Sequence, residues 1–266
     1  MKPFFFGRSQ APLYGVYHPP LPSVARAEGV LLCSAFGQEY MRAHRAFRQL
    51  AMLLNRVGYH VMRFDYWGTG DSAGEGDAVE VDQWLKDIGV AVDELRAFAA
   101  IESLSLVGLR LGATLASYFS RNRSDIDRVV LWDPVVSGDH YIQELLTYLR
   151  QRGDEQTVLS DALLREQGFY MNGFPLMPPL LSSLSALDLA SVERYQAQRY
   201  FMVVSDEGGQ QQSLRDHMGA RADCFEYQVV PSPGNWNFVD HFGGVLIPHA
   251  IIQAIVSWFH PEACPR

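Results

Sequence analysis

The sequence predicts an α/β fold, a mostly parallel central sheet with helices on both faces. Three observations predict it. Short β-rich runs alternate with longer helical patterns along nearly the whole chain, the order that builds parallel sheets. Runs such as GVLLCSAF (29–36) and SLSLVGL (103–109) are continuously apolar, as strands covered on both faces must be. Glycine-bearing turns then join such runs to helical patterns, as in GLRLG (108–112).

Taken in order, KPFFFG and PLYGVYH read as two early strands closed by Pro19 and Pro20. GVLLCSAF is the third strand. In YMRAHRAFRQLAMLLNRVG the apolar residues Phe47, Leu50, Met52, Leu53 and Leu54 recur near helical spacing, and Gly58 supplies a stop. YHVMRF leads as a strand into the glycine-rich turn DYWGTGDSAG, whose Asp65 and Asp71 suit a turn. WLKDIGVAVDELRAFA is an amphipathic helix, SLSLVGL the next strand, LGATLASYFSRN its helix and DRVVLWDPV a further strand. The rhythm breaks over 138–195, which is read as a helical cap inserted into a single domain spanning 1–266. It resumes with the strand RYFMVVSD, the helix QQSLRDHMGA, the strand CFEYQVVPS and the closing helix PHAIIQAIVSWF.

Composition narrows the function classes. The 266 residues carry a formal net charge of −8 and no Lys/Arg-rich run, which argues against non-specific nucleic-acid binding. Cys33, Cys224 and Cys264 lack CxxC spacing, so neither a disulfide framework nor a zinc site is expected, and a reducing compartment is. The start MKPFFFGRSQ has no apolar core of signal-peptide length, and no run approaches the ~18 residues of a membrane span. The expectation is a cytoplasmic protein with no cofactor, metal, membrane span or nucleic-acid partner.

GLRLG has the glycine spacing of a G-x-S-x-G nucleophile elbow, with Arg110 where the nucleophile belongs. A guanidinium stays protonated and cannot attack, yet its planar fork of donors matches carboxylates and phosphates. Together with the βα order, the turn after the fourth strand and the insertion after the sixth, the elbow resembles the α/β-hydrolase superfamily over nearly the whole chain. LLCSAFGQEYMRAHRAFRQLA with RFDYWGTGDS is similar to its serine-aminopeptidase-like branch, and to hydrolase-like proteins beside exosortase systems, where GLRLGA with Arg for Ser is a pattern of its own.

The resemblance implies an acid near the end of a late strand, which Asp206 or Asp133 fits. It implies a histidine after the last strand, which His241 fits better than His249, although GNWNF stands where the usual pattern would. It implies oxyanion amides at Phe36 and Leu111, with Ser34 and Glu39 close by. Arg110 then either anchors negative charge or folds onto Asp133 or Asp206 as a plug. Glu39 either faces Arg110 or caps its helix. The aromatic segment GFYMNGFPLMPPLL would line an acyl pocket or pack the cap. Three functions stay open: an enzyme handling an acyl substrate, free or carrier-linked, by elimination, cyclisation or acyl transfer without a serine; a non-catalytic binder of an acyl ligand or partner; or an esterase or thioesterase with its nucleophile moved to Ser34 or Cys33.

Overall fold

The structure, a computed structural model, describes residues 1–151, 159–232, 236 and 246–259. Eight strands form one sheet: β1 (Lys2–Arg8), β2 (Ala11–His18), β3 (Glu28–Cys33), β4 (His60–Phe64), β5 (Ser103–Leu109), β6 (Arg128–Trp132), β9 (Arg199–Val204) and β10 (Phe225–Val229). Their order is β1-β2-β4-β3-β5-β6-β9-β10. β1 pairs antiparallel with β2, and β2 antiparallel with β4; the other ladders are parallel.

Strand side chains alternate between two cores. Leu31, Cys33, Leu104, Leu106, Val129 and Leu131 face one side, which packs against α2 (Val81–Phe98) and α3 (Leu111–Ser120). Val30, Leu32, Val107, Leu109, Val130 and Trp132 face the other, beneath α1 (Gly37–Arg56) and α8 (His249–Trp258). Both faces are therefore dry, which is why the strands read as unbroken apolar runs. A further helix, α7 (Gly209–Gly219), joins β9 to β10 and buries Leu214 and Met218 against the first core.

The stretch between β6 and β9, expected to be a helical insertion, holds a short hairpin among its helices. It holds α4 (Gly138–Gln151), α5 (Asp161–Gln167) and α6 (Pro178–Ser185). Between α5 and α6 lies an antiparallel hairpin, β7 (Phe169–Met171) with β8 (Phe174–Leu176). Its turn is Asn172-Gly173, both with positive φ (52° and 86°), the backbone that a tight two-residue hairpin needs. Among the described residues no helix is long and apolar enough to cross a membrane. Cys33 is a free buried thiol. Cys224 is disulfide-bonded, contrary to the expectation of unpaired thiols.

Candidate active site

β5 passes into α3 through a single residue, Arg110, with φ 53° and ψ −122°. A non-glycine residue holds such a backbone only where its surroundings enforce it, against about 1–3 kcal/mol of strain. Close packing enforces it here. A Cβ on Gly108 would lie 2.3 Å from the Gly112 carbonyl oxygen, and one on Gly112 2.2 Å from the Cys33 carbonyl oxygen. The Arg110 N–H donates to the Trp132 carbonyl at 3.0 Å, and its own carbonyl accepts from Ala113 at 3.0 Å.

The Arg110 side chain is 12% exposed and held between two helices. Its Nε donates to Glu39 Oε1 on α1 at 2.8 Å, and Nη2 to Glu144 Oε2 on α4 at 2.7 Å. The guanidinium lies 5.6 Å from the centre of the Tyr141 ring, and the Tyr141 hydroxyl donates to Glu39 Oε2 at 3.1 Å. Glu39 has no exposed surface. This corrects the expected partners: Arg110 pairs with neither Asp133 nor Asp206. α1 and α4 each bring a carboxylate to the apex, and a buried guanidinium takes the acids it touches. Burial alone would lower the Arg110 pKa, but Glu39 and Glu144 outweigh it and hold the pKa above its ordinary value. The residue at the nucleophile position is a permanent, neutralised cation.

The two expected acids have different surroundings. Asp206 is exposed and accepts the N–H of Glu207 at 2.9 Å, a local turn bond. Asp133 is buried just beyond β6 with φ 44°. Its carboxylate accepts the Ser205 N–H at 2.6 Å, the Ser205 hydroxyl, and the indole N–H of Trp236 at 3.0 Å. Sequence reasoning missed Trp236, which follows β10 within GNWNF, where the resemblance implies a histidine. An indole N–H only donates, so it occupies the acid without being able to take a proton. His241 lies outside the described residues. His249 opens α8, is exposed, and its Nδ1 lies 3.1 Å from Gln49 Nε2.

Phe36, which precedes α1, and Leu111, which opens α3, both line a cavity of about 260 Å³. Neither of their backbone N–H groups has a hydrogen-bond partner among the described residues. Tyr66, Trp84, Leu115 and Phe174 form apolar walls, with Phe36 5.4 Å from Trp84 and 6.2 Å from Phe174 between ring centres. Phe174 comes from the hairpin, so the segment between β6 and β9 contributes to this wall. Ser34 lies on the same wall, without a hydrogen-bonded base among the described residues. Cys33 is fully buried, and burial pushes its thiol pKa up to about 12. Among the described residues no cluster of His, Cys, Asp and Glu could hold a metal ion.

The family model of serine aminopeptidase, S33, matches residues 28–200, more than half of the chain. The chain belongs to that family. Its fold is that of the α/β hydrolases, as solved structures also show. Est1E from Butyrivibrio proteoclasticus, in a structure with ferulic acid bound, superposes with TM-score 0.68 at 12% identity, covering 96% of this chain and 95% of that one. A proline iminopeptidase from Mycobacterium smegmatis gives 0.67 at 14%, covering 97% and 98%. An esterase from Pyrococcus furiosus gives 0.62 at 15%, covering 89% and 86%. Identities this low speak for the fold alone. No curated protein matches the sequence.

Proposed function

We propose that this member of the family acts on a small apolar acyl compound without forming an acyl-enzyme. One observation carries the reading. The two amides at the oxyanion positions, Phe36 and Leu111, are unengaged and border an apolar cavity, while the residue between β5 and α3 is an ion-paired Arg110. Two such N–H groups polarise a carbonyl and stabilise an enolate or alkoxide. With no nucleophile at the apex, the accessible reactions are those of a polarised carbonyl: elimination, cyclisation or transfer to an external acceptor. Phe174 and Pro175 of the hairpin cover the acyl group, which gives the insertion the role of a cap. His241 is the residue proposed to move the proton. A nucleophile relocated to Cys33 fits poorly with its burial and raised pKa, and one at Ser34 with the lack of a bonded base among the described residues.

A second reading, a binder without turnover, is favoured by the two Glu partners of Arg110 and by the Trp236–Asp133 bond. Both readings require the cavity to be filled by ligand. Calorimetry with medium-chain methyl ketones, inert mimics of acyl esters, tests this. Saturable binding by the wild type is expected, and its loss in a folded Leu115→Trp variant, whose indole fills the cavity. No binding to the wild type would sink both readings. Conversion of a true substrate, undiminished by cavity variants, would sink the enzymatic one.

A further inference from the structure

A second chamber of about 230 Å³ lies under α1, against β2 and β4. It shares Ser34, Ala35, Tyr40 and Asp65 with the apolar cavity, so the Tyr40–Asp65 pair stands between the two. Its character is different. Arg48 projects into it from α1 and Arg63 from β4. Neither guanidinium has an ion-pair partner among the described residues. Arg63 is half-buried, and among the described residues its side chain makes one hydrogen bond, from Nε to His18 Nε2 at 3.3 Å. Among the described residues neither of its terminal nitrogens has a protein acceptor.

The chamber also contains two acids, Asp65 and Asp71; neither forms an ion pair with the arginines among the described residues, although the nearby Asp65 carboxylate partly offsets the Arg63 charge. Asp65 already accepts from the Tyr40 hydroxyl at 2.9 Å and from the Asp71 N–H at 3.1 Å. Asp71 is exposed. The guanidinium donors that face the chamber match the oxygens of an oxyanion. Two unpaired guanidiniums suit a phosphate monoester, which carries about −1.5 to −2 charges near neutral pH, better than they suit a single carboxylate. Tyr14, Tyr40 and Phe47 supply ring surface for whatever carries the phosphate.

We infer that the chamber under α1 is a phosphate-monoester subsite, held by Arg48 and Arg63 and separate from the apolar cavity. It does not depend on the reading of that cavity. Arg48 is exposed, so Arg48→Gln leaves the fold intact, while Arg63→Gln and Arg63→Lys probe the deeper group. Calorimetry with phenyl phosphate and with inorganic phosphate, at low and high salt, provides the test. Saturable binding of phenyl phosphate is expected, weakened by salt, weakened about tenfold or more in Arg63→Gln and several-fold in Arg48→Gln. Arg63→Lys retains part of the affinity because it keeps the charge and loses the fork. Tighter binding of phenyl phosphate than of inorganic phosphate assigns the site to an organic monoester. Equal binding keeps the oxyanion site but assigns it to the free ion. Absence of saturable binding up to about 10 mM, or affinity unchanged in Arg48→Gln and in whichever Arg63 variant folds, overturns the inference.

Discussion

The apex of the elbow and the cavity beside it are adjacent in the chain and built on opposite principles. At the apex, Arg110 carries a charge that two helices neutralise, and nearly every polar group is taken. In the cavity, walls from Phe36, Trp84 and Phe174 surround two backbone N–H groups that no described residue claims. The backbone is continuous between them. Leu111 closes one region and opens the other. Elbow geometry and elbow chemistry are therefore separable. Close packing of Gly108, Gly112 and Ala113 dictates the turn, and that packing is indifferent to the side chain at its apex. The chemistry depends on that one side chain and on what reaches it.

The largest expected effect breaks the backbone common to both regions. Gly112→Ala places a methyl group against the Cys33 and Ser34 carbonyls, with no flexible side chain to yield. Its loss of stability should reach about 3 kcal/mol or more by denaturant unfolding, or the protein should not fold. Next comes the apex. Glu39→Leu leaves Arg110 buried with half its partners and should cost about 3 kcal/mol, whereas the double variant with Arg110→Met should recover most of that loss. Purely additive losses would mean that the ion pair is not what organises the apex.

A smaller effect tests how much of the family's catalytic apparatus survives. Arg110→Ser restores a hydroxyl at the apex but not an acid–base pair to activate it, because Trp236 holds Asp133. It should hydrolyse nitrophenyl esters no faster than wild type, and burst kinetics in that variant would show that a base remains in place. The smallest effect lies at the arginine chamber. His18 is 4% exposed, and burial, with Arg63 beside it, brings its pKa from 6.5 down to about 4. The unfolded histidine takes up its proton first as pH falls through 6.5, so stability is full above that value and declines toward pH 4. The decline attributable to His18 should be largely absent in His18→Gln.

Much of this was legible in the sequence, for physical reasons that also mark where legibility ends. Strands covered on both faces are continuously apolar, and an elbow needs glycine on both sides, so β3, β5 and the GLRLG turn declare themselves locally. The segment after β6 was harder to read. Its hairpin strands have only three residues each, and Asn172-Gly173 is the single local signal for them. Side-chain partnerships were least legible. Glu144 meets Arg110 only because α4 docks over the elbow, and no spacing rule links positions 110 and 144. Trp236 reaches Asp133 across 103 positions. In the sequence that bond leaves only an unexpected GNWNF where a histidine pattern would stand.

The proposed function requires that the elbow, although it keeps its shape, performs no covalent catalysis. Intact-protein mass after exposure to a fluorophosphonate, read beside nitrophenyl ester turnover, tests it most directly. The account predicts an unmodified mass and no turnover. A stoichiometric adduct on Ser34, accompanied by ester hydrolysis, would contradict it.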